Sequence, residues 1–150
     1  MYTTIDKIRY EAGFQDNFNI LDSTIENYQT EANAHVNSIV GSRYNLSKLT
    51  GAVFTNSGAQ KLLDMIEKLL AAGNLENSEY PGEEGDDTQS GQIKISKASD
   101  MLEQISLGNI KLLDTSFAEF SLLADNSSGG LAVLTNQDFS CNDFKPTDQW

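Results

Sequence analysis

Apolar residues recur at spacings of three and four in four separate stretches of this chain, the pattern of helices that each bury one stripe. Ile5 and Ile8 mark the first, with Thr3 or Thr4 in capping position and Gly13 as its stop, predicting a short helix to about Tyr10. The second opens on Ser23-x-x-Glu26, a capping-box pattern, and carries Ile25, Tyr28, Ala32, Val36 and Ile39 on one face as far as Gly41. After a connector over 46–55, a third helix is predicted from Asn56 or Ser57 to Ala72. It buries Leu62, Leu63, Ile66, Leu69 and Leu70, with Gly73 at the C-terminal cap. The fourth starts at Ile93 or Ser96 and turns Ala98, Met101, Leu102 and Ile105 inward. It ends at Gly108, and Ile110, Leu112 and Leu113 form a last apolar patch.

Two stretches break this period. Residues 74–92 combine glycines, Pro81 and a run of acids, too little apolar surface to offset the entropy of ordering, so they read as a flexible loop. From Phe117 to Phe139 two short apolar runs flank a Ser/Gly cluster at Asn126 to Gly130, the pattern of a β-hairpin, and SCNDFKPTDQW reads as an extended arm. The expected fold is mainly α: a small bundle of about four helices with a long acidic loop and a C-terminal β-hairpin or arm. In that reading residues 1–113 form the helical domain, including the loop at 74–92, and 114–150 the hairpin and arm.

Charge sharpens this division. The 150 residues hold 22 acids and 10 bases, a net charge of -12, which argues against a phosphate-gripping face and so against a nucleic-acid reader. The excess is local. Residues 1–75 carry eight acids against six bases and 88–113 two against three, whereas 76–87 hold six acids and no base, and 114–150 six acids against Lys145.

Candidate chemistry is sparse. With one cysteine, Cys141, and one histidine, His35, neither an intrachain disulfide nor a Cys/His metal cluster can form. No apolar window reaches the roughly 18 residues of a membrane span. Asp86, Asp87, Thr88, Gln89, Ser90 and Gly91 partly imitate a calcium loop, but Lys97 stands at the twelfth place, where a bidentate carboxylate is required. His35 lies beside the inner stripe of the second helix with no nucleophile near it in sequence, the placing of a partly buried structural histidine. The carboxylate pairs Glu83/Glu84 and Asp86/Asp87 sit in a Gly-rich loop that would not hold them for acid–base work. No catalytic residue, metal or cofactor is expected, and the chain does not read as an enzyme. Phe139, Phe144 and Trp150 stand out in an acidic tail without a core of its own. They either fold back on the helices or anchor the arm in a partner's pockets.

Several features in order resemble one family. Tyr2-Thr3-Thr4, the helix EANAHVNSIVGSRYNL ending in Arg43-Tyr44-x-Leu46, the long third helix, and A-x-x-M-L-x-x-I-x-x-G-x-x-x-L from Ala98 to Leu112 look like a bacteriophage head-to-tail connector protein of the adaptor or head-completion type. The likeness spans residues 1–113, with Arg43, Tyr44 and Gly108 carrying the motif; Ser47 stands where that family often has proline. It implies a helical subunit made in the host cytoplasm and assembled, as a dodecamer, into a ring under the portal of the virion. Such a ring extends the DNA channel, lets DNA pass without specific binding, and offers a platform to the tail or tail-completion protein. A terminal arm in that family reaches the portal, a role that falls here to Phe139, Phe144 and Trp150. The acids Glu83, Glu84, Asp86 and Asp87 would then face a channel that DNA must not adhere to. The charge also allows a different class: a small acidic regulator or inhibitor that binds one basic partner as a nucleic-acid mimic.

Overall fold

A computed structural model describes residues 1–17, 19–79 and 88–123. They form α1 (Ile5–Glu11), α2 (Asp22–Val40), a 3-10 turn at Leu46–Lys48, α3 (Gly58–Glu79) and α4 (Thr88–Ser106). The fold is mainly helical. The described residues contain no extended strand, only isolated antiparallel bridges at Leu113–Glu119 and Tyr44–Leu122. The hairpin turn expected at 126–130 and the arm beyond it lie outside the described residues.

Helix α1 starts where its sequence predicts. The Thr4 side chain accepts a hydrogen bond from the Lys7 backbone N–H, and the chain turns away at Gly13 with φ of +74°. Helix α2 does not use the Ser23/Glu26 capping box: it begins at Asp22, after Leu21, with no side-chain cap. A clamp from α1 fixes that entry instead. The Arg9 guanidinium donates to the Asn17 carbonyl at 2.8 Å, the Ile20 carbonyl at 2.9 Å and Asp22 Oδ1 at 2.6 Å. An acidic first turn also suits the helix dipole.

The long helix α3 is the hub, packed against α1, α2 and α4. Its core residues Leu63, Ile66, Leu69 and Leu70 are those the spacing predicts, with Leu62 at the edge. On α2 the buried stripe is Ile25, Gln29, Ala32, Val36 and Val40, so Tyr28 and Ile39 sit at its margin and a glutamine replaces an apolar residue in the middle. That glutamine serves a buried carboxylate. Glu67 of α3 is 0% exposed, yet no cation pairs with it among the described residues. Its oxygens accept from the backbone N–H groups of Tyr2 (3.0 Å) and Thr3 (3.3 Å), from Asn33 Nδ2 (2.7 Å) and from Gln29 Nε2 (3.4 Å).

The expected loop at 74–92 is corrected at both ends, since α3 continues to Glu79 and α4 begins at Thr88. Gly73 is not a cap. It is the point where α3 and α4 touch backbone to backbone: a Cβ there would lie 2.6 Å from the Gly91 carbonyl oxygen and 2.8 Å from Ile95 Cγ1. A Cβ on Gly91 would meet Asn77 Oδ1 at 2.3 Å. Beyond this crossing Leu75 is fully buried, and Glu76 pairs with Lys94, which also donates to the Glu11 carbonyl. Lys68 holds the Glu11 carboxylate at 2.8 Å. The apolar and ionic contacts across 74–79 are what the loop reading lacked. Residues 88–97 are helical, so the calcium-loop likeness there has no loop to act through.

After α4 the chain turns at Gly108, with φ of +80°, and returns over the bundle. Leu112 is fully buried and Phe120 nearly so, and residues 114–123 therefore lie on the helical body rather than apart from it. Tyr2, Phe54 and Phe120 stack edge-on in sequence, with centroids 5.9 and 6.0 Å apart.

If the Gly73–Gly91 crossing sets the spacing of α3 and α4, Gly73→Ala forces the backbones apart. The expected cost is about 1–3 kcal/mol, the range for overpacking a tight contact. Thermal or urea unfolding followed by circular dichroism measures it; an unchanged midpoint would show that the crossing has slack.

Candidate functional site

The residues that carry the family likeness converge at the C-terminal ends of α2 and α4. Helix α2 stops at Gly41, and Ser42, Arg43 and Tyr44 follow in a tight turn, with the Tyr44 N–H returning to the Val40 carbonyl at 2.8 Å. This turn sends the Tyr44 ring inward, where it is fully buried, and leaves the Arg43 guanidinium partly exposed over it, 5.5 Å from the ring centroid. Such a cation over an aromatic face contributes about 0.5–1 kcal/mol at an exposed site.

Gly108 completes the seat. A Cβ at this position would lie 2.6–2.7 Å from three atoms of the Arg43 guanidinium, so the arginine occupies the space that any other residue would fill. The positive φ imposes the same choice independently. Arg43 and Gly108, 65 positions apart in sequence, are thus shaped for each other.

A third group binds both sides together. Glu119 Oε1 accepts from the Tyr44 hydroxyl at 2.9 Å and from Arg43 at 3.5 Å, while Oε2 meets Lys111 Nζ at 3.1 Å. The Tyr44 hydroxyl accepts in turn from the buried Leu112 N–H at 3.2 Å. Backbone pairing continues the clasp, with the Asn45 N–H on the Ser121 carbonyl and the Leu123 N–H on the Arg43 carbonyl at 2.7 Å. The Lys111 hydrogen bond is the largest influence and, helped by Tyr44 and Arg43, holds the Glu119 carboxyl below its ordinary value of 4.5 against the opposing effect of desolvation.

Beside the clasp lies a cleft of about 450 Å³ lined by Ser42, Arg43, Ser106, Leu122 and Leu123. The Arg43 Nε donor is buried without an acceptor among the described residues. This is the chemistry of orienting: two cations and a phenol gathered on one carboxylate.

Other sequence candidates fall elsewhere. His35, expected to be partly buried, is exposed on α2, at the rim of a separate cleft lined by Glu31, Ala32, Leu70, Asn74 and Ile95. The stripe on α2 is rotated toward Val36 and Val40, which turns position 35 outward. Glu83, Glu84, Asp86 and Asp87, and the arm residues Phe139, Phe144 and Trp150, lie outside the described residues. Among the described residues no three His, Cys, Asp or Glu side chains cluster so as to hold a metal ion. Sequence reasoning missed Glu119, which it counted only as part of an acidic tail. No local signal marks it, since one acid between Phe117 and Phe120 reads like the other acids of that segment.

Two measurements test the clasp. A carboxyl whose pKa is depressed in the folded state adds stability that is present above the unfolded value and lost as pH falls. Wild-type stability should therefore drop on acidification below about 4.5, and Glu119→Gln should flatten part of that slope in urea titrations at a series of pH values. In the second, Gly108→Ala should destabilise by about 1–3 kcal/mol through the left-handed backbone and the clash with Arg43. Combining it with Arg43→Ala should recover the clash component alone; strict additivity in that cycle would mean the two residues do not press on each other.

Comparison with known proteins adds nothing to this picture: no family model, no curated protein and no solved structure matches the chain.

Proposed function

We propose that the chain is a virion structural subunit, a bacteriophage head-to-tail adaptor that assembles as a ring under the portal and passes DNA without gripping it. One observation carries the reading. Arg43, Tyr44 and Gly108, the residues on which the family likeness rests, meet in a single clasp and are shaped for one another. A motif whose distant parts fit atom to atom is specified as a unit, which a chance likeness over residues 1–113 would not require.

The charge distribution supports the same role. Two acids of the segments read as strongly negative, Glu76 and Glu119, are paired with Lys94 and Lys111. That leaves the helical body with modest charge, suited to packing against its own copies, and removes two carboxylates that a nucleic-acid mimic would have to display. In this role residues 131–150, through Phe139, Phe144 and Trp150, dock on the portal, and Glu83, Glu84, Asp86 and Asp87 face the DNA path. The chemistry is assembly, with no catalytic residue and no cofactor.

The test is reconstitution. Mixed with a portal protein from the same genome and imaged by electron microscopy, the full chain should add a ring of density beneath the portal. Deleting residues 139–150 should leave the helical circular dichroism intact and weaken attachment about thirtyfold or more, the loss of anchoring aromatics worth at least about 2 kcal/mol. Portals left bare by the full chain would overturn the adaptor role; a ring that forms equally well without 139–150 would overturn the arm's part in it.

A further inference from the structure

The sequence pairs two apolar runs in a hairpin, with Leu131, Ala132, Val133 and Leu134 returning along the run that ends near Leu123. The described part of the first run leaves the second no edge to pair with. On one side of 118–123 the Asp114 N–H donates to the Ala118 carbonyl at 2.8 Å and the Phe120 N–H to the Leu112 carbonyl at 2.9 Å. On the other the Asn45 N–H donates to the Ser121 carbonyl at 3.0 Å and the Leu123 N–H to the Arg43 carbonyl at 2.7 Å. Even positions bond toward 112–114 and odd ones toward 43–45, the alternation of a chain held between two neighbours. An apolar run without a ladder partner gains by covering apolar side chains instead.

Such a surface lies where the described chain stops. Leu122 and Leu123, the last two described residues, line the cleft of about 450 Å³ together with Ser42, Arg43 and Ser106. Leu123 is 48% exposed, and Leu107, which follows Ser106 at the end of α4, is 62% exposed. The bond from the Leu123 N–H to the Arg43 carbonyl fixes the exit of the chain beside this cleft. Seven residues, 124–130, then separate Leu123 from Leu131, and Asn126, Ser127, Ser128, Gly129 and Gly130 among them have turn composition. A tether this short keeps the run near its exit at an effective concentration of roughly millimolar, far above that of a separate partner in dilute solution.

We propose that residues 131–134 of the same chain occupy this cleft, packing their side chains on Leu107, Leu122 and Leu123 without joining a strand ladder. Continuity of the chain decides the occupant: the run is tied to a residue that lines the cleft. This contact roots the C-terminal segment at the clasp, so that Arg43, Gly108 and Glu119 set the point from which the rest of it leaves the body. The inference stands without the adaptor reading. Within that reading, Phe139, Phe144 and Trp150 all lie beyond the root, and the portal contact begins past Leu134.

The experiment uses the full chain without portal. Hydrogen–deuterium exchange read by mass spectrometry should show the amides of 131–134 slowed at least about tenfold relative to an unstructured peptide of the same sequence. Leu123→Asp, a change at an exposed position, and separately Val133→Asp should each return them to the peptide's rate, while exchange in α2 and α3 and the helical circular dichroism stay as in the wild type. With p-benzoylphenylalanine in place of Leu107, in a mixture of isotopically light and heavy chains, irradiation should join position 107 to 131–134 of the same chain. Wild-type amides that exchange at the peptide's rate, protection that survives both substitutions, or cross-links that miss 131–134 would each overturn the proposal. Cross-links joining light to heavy chains would overturn it too, and would assign the cleft to a second copy. A bare portal leaves all of these readouts unchanged, since none of the samples contains one.

Discussion

A carboxylate sealed inside a helical bundle without a cation is the constraint on which this structure turns. Taking such a charge out of water costs several kcal/mol unless donors replace its hydration shell. Glu67 obtains them from two backbone N–H groups, of Tyr2 and Thr3, and from the amides of Gln29 and Asn33. Each donor has to be held at its place. Gln29 therefore occupies a position on α2 that an apolar residue would otherwise take and also donates to the Thr3 carbonyl at 2.8 Å, while Asn37 supports Asn33 and accepts the Tyr2 hydroxyl at 2.6 Å. Burial, and then the nearby Glu67 charge, push the Tyr2 phenol above its ordinary value, so it remains a neutral donor to Asn37. The N-terminal residues are in this way not a tail but a third wall of the α2–α3 interface.

The same anchoring reaches the clasp at the far side of the fold. Tyr2, fixed by Glu67, stacks on Phe54; Phe54 stacks on Phe120; and Phe120 is adjacent to Glu119, the carboxylate that gathers Tyr44, Arg43 and Lys111. Three aromatic rings in contact thus connect a buried charge at one end to a surface charge cluster at the other. Edge-on stacks of this kind contribute about 0.5–1.5 kcal/mol each beyond their buried area, enough to fix the relative placing of the segments they join. The motif residues Tyr2-Thr3-Thr4 and Arg43-Tyr44, which look unrelated in sequence, belong to one connected framework.

Helical periodicity made most of the bundle legible, because it reports which side of a helix is dry, and Leu63, Ile66, Leu70, Ala98, Leu102 and Ile105 are all buried as their spacing requires. It misled where a residue was read by its commonest use. Gly73 has the position of a cap but the role of a contact, and nothing local distinguishes the two; the difference lies in Gly91, eighteen residues on, whose backbone it meets. Ser23 and Glu26 have the spacing of a capping box, yet the start of α2 is decided by Arg9 reaching across from α1. Glu119 was invisible for a similar reason. A carboxylate's partners are set by tertiary placement, and one acid among several in a polar segment carries no mark of being the one that is bound.

That distinction alters what the net charge of -12 means. Glu67 is satisfied by uncharged donors, Glu76 by Lys94, Glu11 by Lys68, Asp64 by Lys7, Asp22 by Arg9 and Glu119 by Arg43 and Lys111. Most of the body's bases are therefore committed to holding the fold together, and few remain to attract an outside anion. By sequence, 80–87 add Glu83, Glu84, Asp86 and Asp87 with no base, and 124–150 add four acids against Lys145 alone. A chain that commits most of its cations internally and carries an excess of acids repels a polyanion whatever its assembly state. Any attraction between copies must come from apolar surface, because the general field of the molecule opposes it.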